Sequence, residues 1–360
     1  MSVWQDKETG KWNCKLRYTD YTGQRIQKKK IGFTLKRDAE KWERDYLSKV
    51  TGSPSMPFSA LCDLYLEDKK AHTKKITYNT KKNRIDKWIR PYFENVPVNK
   101  IDAASIRSWQ TDIKTTATDT GKEPSPGYLQ NIVTELSSIF NFAVRFYGLS
   151  VNPAHVAGNS VGKKQKSMSF WTYKQFQQFI NTFDQNDPYY TAFMVLYFTG
   201  LRKGELFALT PADIDLAKGA INVSKTLNVI DGKTVITSPK TAKSTRTVVI
   251  PAFLCEILKV YESRFYDLQK DFRIFQCGKT TLQNQLSKHA TLAGVPRIRV
   301  HDLRHSHASH LIEMGFSALL VSERLGHDSV NTTLQVYAHL YPSKQTEVAE
   351  RLQNLFEEKK

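Results

Sequence analysis

"HDLRHSHASH", residues 301–310, packs four histidines, an aspartate and an arginine into ten positions. Read as a helix at about 100° per residue, it places His301 and His305 on one side and turns His307 and His310 to roughly the opposite one. Four metal ligands do not converge from that spread. Arg304 falls near the His301 side, where a permanent cation repels a divalent ion but suits a phosphate. Three readings stand at this point: a zinc site, a helix whose polar groups are satisfied internally, and an anion site.

The composition favours the third. Fifty-three Lys and Arg stand against 35 Asp and Glu, a formal charge of +18 in 360 residues, which calls for a polyanionic partner, most simply nucleic acid. That length accommodates two or three domains, and a 40% hydrophobic share with 11% aromatics builds ordinary cores. Cys14, Cys62, Cys255 and Cys277 are scattered without a C-x-x-C pair, so neither a disulfide framework nor a thiolate zinc site is indicated. The N-terminus lacks an apolar signal core, and the most apolar run, residues 191–199, is too short to span a bilayer. The expectation is a soluble cytoplasmic protein with no membrane partner.

Along the chain, "WQDKETGKWNCKLRYTD" (4–20) and "GQRIQKKKIGF" (23–33) read as strands joined by Gly turns, and "TLKRDAEKWERDYLSKV" (34–50) as a helix with Thr34 at its N-cap. Trp4, Trp12 and Tyr18 read as packing residues. Lys28, Lys29 and Lys30 are either a charged edge that blocks strand pairing or a basic ribbon shaped for a DNA groove. "TGSPSMP" (51–57) is a linker signal. From 58 to 147 the apolar spacing is that of a helix bundle, with Asp102 and Ser125 as N-caps and Lys74, Lys75, Lys81 and Lys82 clustered near one helix start, where they read as DNA-binding residues facing backbone phosphates. "NPAHVAGNSVGKKQKSM" (152–168) is a second linker signal, and its Lys163, Lys164 and Lys166 make it either a solvated tether or a strap across a duplex. The remainder is mostly helical with one β-rich insertion, 219–251, in which Asp231-Gly232 marks a hairpin turn. The expected class is a multidomain, mainly α protein with small β elements.

Polar residues in this last region sit at the ends of regular elements. "LYFTGLRKGELFALTPADID" (196–215) runs through a Gly turn into Arg202, Lys203 and Glu205; "SPKTAKSTRTVVIP" (238–251) carries Lys240 near a hairpin tip; and "LGHDSVNTTLQVYAHLYP" (325–342) sets His327 after Gly326, with Tyr337 ten residues on. Taken singly, Arg202 is a surface arginine capping a helix and Lys240 an ordinary hairpin lysine. In chain order with His301-x-x-Arg304, they resemble the tyrosine recombinase family, specifically the integrases of phages and conjugative elements.

The resemblance covers the whole chain, and its specific motifs lie in 169–360. It implies an arm-type DNA-binding domain at 1–50 with a three-stranded sheet and a helix, a helical core-binding domain at 57–150, and a mixed α+β catalytic domain at 169–360, with linkers at 51–56 and 151–168. It implies a catalytic set of Arg202, Lys240, His301, Arg304, His327 and the nucleophile Tyr337, with every family position filled. "TLQVYAHL" is the family-like setting for Tyr337, and Pro342 ends the helix directly after the competing Tyr341.

The chemistry accounts for these residue types. Cleaving a phosphodiester without a metal requires a nucleophile, donors to the equatorial oxygens of a phosphorane, and a proton for the departing oxygen. Tyrosine holds the phosphorus as a 3′-phosphotyrosyl ester, which retains the bond energy, so neither ATP nor another cofactor is called for. Forked guanidiniums match the non-bridging oxygens as an ammonium does not. The resemblance makes Lys240 the general acid, gives His301 a part in removing the tyrosine proton, lets His327 donate to the phosphate, and leaves Glu205 to orient the site. His305, His307 and His310 are then structural.

The implied function is site-specific integration and excision of a mobile element through a Holliday junction. The implied partners are double-stranded DNA at core-type and arm-type attachment sites, three further copies in a tetramer joined by exchange of the C-terminal helix, an excision factor and a DNA-bending host protein. The implied setting is the nucleoid of a bacterial cytoplasm. The tail, 343–360, supports the exchange with Val348, Leu352, Leu355 and Phe356 at helical spacing; the same pattern also fits a helix docked on its own domain. Rival readings fare worse. A non-catalytic regulator predicts a damaged constellation, a relaxing topoisomerase has little use for an arm domain, and a metal-dependent nuclease lacks a carboxylate cluster. A phosphate-binding loop fails because "RIFQCGKT" has Arg273 where the first glycine belongs.

Overall fold

The computed structural model describes residues 2–19, 25–51, 54–116, 118, 121, 123–161, 169–239, 242–276, 278–338 and 353–354. The chain divides into two compact units, Met1–Lys166 and Ser167–Lys360, and it has the expected mainly helical character with small sheets.

The first unit begins with an antiparallel sheet in the order β1 (Val3–Gln5), β2 (Trp12–Thr19), β3 (Arg25–Phe33), followed by α1 (Lys36–Thr51). Cys14 and Leu16, two residues apart on β2, are both buried, as Ala39 on α1 is, so one face of the sheet packs and the other is left to solvent. The first helical carbonyl is that of Leu35, which accepts from Asp38 and Ala39; the helix therefore opens one residue later than a Thr34 cap would set it.

Next come α2 (Phe58–His72), α3 (Lys75–Arg84), α4 (Arg90–Phe93), α5 (Ala103–Thr115), α6 (Pro126–Phe146) and α7 (Pro153–Ala157). A π-helical turn, Ile85–Ile89, joins α3 to α4; Pro91 lacks an N–H and its ring crowds the carbonyl four residues back, and the turn before it widens. Asp102 and Ser125 cap their helices as read, accepting from the backbone N–H of Ser105 and Tyr128. Phe58, Trp109, Ile132, Leu136 and Phe140 form the centre of this core.

Both linker signals are cut short by packing. Met56 is buried, and its carbonyl accepts from Val98 N–H. Asn152 caps α7, whose Ala154 and Ala157 enter the core together with Val161. Polar and glycine-rich composition misleads there because single apolar side chains, Met56, Ala154, Ala157 and Val161, dock from within it.

The second unit is built on α9 (Pro188–Thr199), which follows α8 (Tyr173–Ile180) and is buried on almost every side; the apolar run of the sequence is a central helix of the kind expected from all-round hydrophobicity. α10 (Lys203–Leu206) leads into β4 (Ile214–Asp215), β5 (Ala220–Val223), the hairpin β6 (Thr226–Ile230) and β7 (Lys233–Thr237), and β8 (Arg246–Val249). The sheet order is β4-β5-β8, with β6-β7 a separate ribbon. Asp231 and Gly232 turn that ribbon with φ of 52° and 75°, the mirror-image turn that Asp-Gly favours. Then follow α11 (Ala252–Glu262), α12 (Lys279–Leu292), α13 (Asp302–Glu313), α14 (Ala318–Leu325) and α15 (Val330–Tyr337). α9 packs against both α11 and α13. Among the described residues no helix is long and apolar enough to cross a membrane.

Gly200 ends α9 in the left-handed conformation at φ +67°, and a Cβ there would stand 2.7 Å from both His307 Cδ2 and Leu325 Cδ2. Gly200→Ala is therefore expected to lower stability by more than about 1 kcal/mol, read as a drop in the urea midpoint with the slope unchanged.

Candidate active site

Arg202 follows the Gly200 turn and occupies the N-cap of α10. The carboxylate of Glu205, three residues on and only 2% exposed, accepts from Arg202 backbone N–H at 2.9 Å and from its NH1 at 2.8 Å. The same carboxylate accepts from Arg246 of β8 at 3.0 and 3.3 Å. Burial alone would push Glu205 up, but hydrogen bonds and charge from Arg246 and Arg202 override it and hold the carboxyl below its usual range.

The last carbonyls of α14 bring the arginines into register. Arg324 O accepts from Arg246 Nε at 2.8 Å, Leu325 O from Arg304 NH2 at 2.6 Å, and Gly326 O from Arg202 NH2 at 3.4 Å. These are the carbonyls a helix leaves without internal partners, at the negative end of its dipole. Arg304 NH1 donates in addition to Gly200 O at 2.8 Å. Gly326 is required where it stands: φ is +66°, and a Cβ would lie 2.9 Å from Arg246 Cδ.

Two of the three guanidiniums thus pair with a single carboxylate, and the third, that of Arg304, is held by backbone carbonyls. Arg304, 3% exposed, is pushed down to about 9 by burial and then by Arg202 and Arg246, which still leaves it charged at neutral pH. Each terminal guanidinium nitrogen bears two hydrogens, and a single carbonyl or carboxylate contact uses one of them. The remaining demand is for an anion.

The histidines of the opening motif have separate surroundings. His307 is buried and accepts at Nε2 from Arg324 Nε at 3.1 Å; burial, then Arg324 and Arg304, push it down to about 3. His310 stacks on Tyr173 with ring centres 5.1 Å apart. His301, its outer edge open to solvent, meets His305 edge-on at 5.4 Å and is pushed down to about 4 by desolvation first, then by His305 and Arg304. His327 bonds Thr333 Oγ1 through Nδ1 at 2.8 Å; desolvation and then Arg304, Arg202 and Arg246 hold it at about 4.

Tyr337, the last residue of α15, is 1% exposed in a small apolar cluster with Ala308, Ile312, Val321 and Leu325. Its Oη is hydrogen-bonded to His305 Nδ1 at 2.6 Å. Burial pushes the phenol well above its usual value, Arg304 opposing that shift. His305, read from sequence as structural, is therefore the ring that touches the tyrosine hydroxyl, and His301 is one ring further away. Only the four-residue spacing that puts His301 and His305 on one helix side hinted at this.

The basic residues divide. Lys29 pairs with Lys15 across the sheet, while Lys28 and Lys30 pair with Leu16 and Cys14; alternation puts Lys29 on the open face, its Nζ 5.6 Å above the Trp4 ring, and turns Lys30 toward Trp42 of α1. Lys15 and Arg17 join Lys29 on that open face, a pairing the run of lysines in the sequence conceals. Lys74 and Lys75 are exposed at the start of α3. Lys81 instead contacts the buried Glu135 at 2.9 Å, and Lys82 pairs with Asp86. Lys163, Lys164, Lys166 and Lys240 lie outside the described residues, as do Tyr341 and the apolar positions of the tail, Val348, Leu352, Leu355 and Phe356. Lys243, near Lys240 in sequence, donates to Asp328 O at 3.0 Å, next to His327.

Residues 167–344 match the phage integrase family model, 57–114 the N-terminal SAM-like domain of phage integrases, and 2–50 an arm DNA-binding domain. The chain is 34% identical over 352 residues to the ICEBs1 integrase of Bacillus subtilis (strain 168), covering 93% of this chain and 94% of that one. The chain belongs to the phage integrase family. It is a tyrosine-type recombinase in activity class, as its other relatives are: a tyrosine recombinase XerC-like protein of Caldanaerobacter subterraneus is 29% identical across 61% of this chain and 66% of its own length. The fold agrees with that of the Tn1549 transposon integrase solved with circular intermediate DNA, at a TM-score of 0.65 and 18% identity over 82% of this chain and 99% of that one.

Glu205→Ala would leave Arg246 buried without a carboxylate, and we expect a stability loss of about 3–5 kcal/mol. Because the folded carboxyl lies below its ordinary value, the stability it adds is present above the normal carboxylate range and disappears as pH falls through the folded value. The melting temperatures of wild type and Glu205→Ala should therefore converge at strongly acidic pH and separate toward neutrality.

Proposed function

We propose that this integrase cleaves and rejoins double-stranded DNA at attachment sites, with the scissile phosphate seated on Arg202 and Arg304 and attacked by Tyr337. The observation that carries the reading is the shortage of anions among the described residues of the site: the consecutive carbonyls of Arg324, Leu325 and Gly326 hold the guanidiniums of Arg246, Arg304 and Arg202, Glu205 pairs with Arg246 and Arg202, and Arg304 is held by backbone carbonyls. A phosphodiester supplies the missing charge, and a phosphorane supplies more of it, so stabilisation grows along the reaction.

In the forward step the Tyr337 oxygen forms a bond to phosphorus as its O–H bond breaks and the proton passes to a neighbouring imidazole, the P–O5′ bond breaks, and the departing 5′-oxygen takes a proton from Lys240. His327 donates to a non-bridging oxygen and His301 stands beside the seat. Attack by a 5′-hydroxyl from a partner duplex reverses the step and exchanges strands through a Holliday junction. In this proposal no metal, ATP or other cofactor takes part.

The proposed division of labour follows the chain: 1–50 for arm-type sites, 57–150 for core-type sites, 169–360 for chemistry, with 51–56 and 151–168 between them. The open sheet face bearing Lys15, Arg17 and Lys29 suits a groove, and Lys74 and Lys75 suit backbone phosphates. Four copies joined through the C-terminal helix, with an excision factor and a DNA-bending host protein to set direction, complete the assembly on nucleoid DNA in the cytoplasm.

On a nicked suicide duplex carrying the attachment site, the wild-type chain should form a detergent-resistant protein–DNA adduct in EDTA, and Tyr337→Phe should abolish the adduct while binding the duplex as tightly. An adduct persisting in Tyr337→Phe would move the nucleophile to Tyr341. Lys29→Gln should weaken arm-site binding and lower the slope of log affinity against log salt by about one, measured by fluorescence anisotropy; an unchanged slope would remove the open sheet face from the DNA interface.

A further inference from the structure

The tyrosine hydroxyl needs somewhere to send its proton, and among the described residues one group is hydrogen-bonded to it. His305 Nδ1 lies 2.6 Å from Tyr337 Oη, while His301 reaches the pair only through its edge-on contact with the His305 ring. Building on the recombinase reading above, we infer that His305 is a further catalytic residue, the group that accepts the Tyr337 proton during cleavage and returns it during rejoining.

The geometry and the chemistry agree. His305 stands on the second turn of α13, directly after Arg304, so the helix that delivers a guanidinium to the phosphate also delivers an imidazole to the nucleophile. Desolvation keeps the ring below its ordinary value, Arg304 and Arg299 adding to that push and Asp302 opposing it; His301 and His327 are the other titratable neighbours on this side. The imidazole is therefore neutral at pH 7, and in the tautomer that carries its proton on Nε2, which the inference requires, it presents the Nδ1 lone pair to the phenol. In cleavage the O–H bond of Tyr337 breaks, its proton passes to Nδ1, and the oxygen electron pair forms the O–P bond while the P–O5′ pair leaves with the 5′-oxygen. The reverse step needs an imidazolium to protonate the departing phenolate, and the same ring holds it. His301 is thereby left free to serve the phosphate.

The test is single-turnover cleavage of the suicide duplex by the full chain. His305→Ala should cut about 10²–10⁴-fold more slowly with duplex affinity unchanged. His305→Asn, which can hold the hydroxyl but not take its proton, should be as slow. Replacing Tyr337 by 3,5-difluorotyrosine, a more acidic phenol, should recover at least about tenfold of the loss in His305→Ala and none of the loss in Lys240→Ala. The inference is overturned if His305→Ala cleaves at the wild-type rate, if His305→Asn restores cleavage, or if the fluorinated phenol gives no recovery. A wild-type chain that forms no adduct at Tyr337 would instead overturn the recombinase reading on which the inference stands.

Discussion

The active site depends on how a helix ends. α14 stops at Leu325, and the carbonyls of Arg324, Leu325 and Gly326 are taken one each by Arg246, Arg304 and Arg202. These arginines come from a strand, a helix interior and a helix N-cap that lie far apart in the chain, and long side chains of this kind otherwise lose much rotamer freedom to be held in one place. A helix C-terminus supplies acceptors at fixed spacing and a favourable dipole for cations. Glu205 completes the arrangement by pairing with two of the three. What remains is a rigid cationic surface with less negative charge than it needs, and a DNA phosphate is the simplest ion that fits.

The same environment sets the protons. His301, His305, His307 and His327 are all held below the ordinary imidazole value, and Tyr337 is held above the ordinary phenol value. Without DNA the site therefore contains neutral imidazoles and a protonated phenol buried at the end of α15. On the proposed seat, a bound phosphate would bring negative charge beside Arg304 and Arg202, relieve their mutual repulsion and raise the basicity of the nearby rings. Under that proposal, proton transfer from the phenol is coupled to substrate binding by electrostatics alone, which would suit an enzyme that cuts DNA only at its own sites.

Local rules made much of this legible in advance. The caps at Asp102 and Ser125, the Asp231-Gly232 turn and the apolar helix at 188–199 each depend on residues within a few positions of one another. The tertiary consequences were hidden for a physical reason. Lys81 looked like a phosphate contact until folding brought Glu135, 54 residues away, within 2.9 Å of it. Arg246 was one basic residue in a strand until its guanidinium met Glu205. His305 was set aside because its partner lies 32 residues downstream on another helix. Residues 152–161 read as a tether because Asn, Pro, Ala and Gly are common in linkers, yet the same small side chains let α7 dock closely.

The most direct test of the account is a structure of the chain trapped on its suicide duplex. The account predicts a covalent bond from Tyr337 Oη to the 3′-phosphorus, with the guanidiniums of Arg202 and Arg304 donating to its non-bridging oxygens while Leu325 O and Gly326 O keep their present partners. A phosphate bound away from those two arginines, or esterified to another residue, would contradict it.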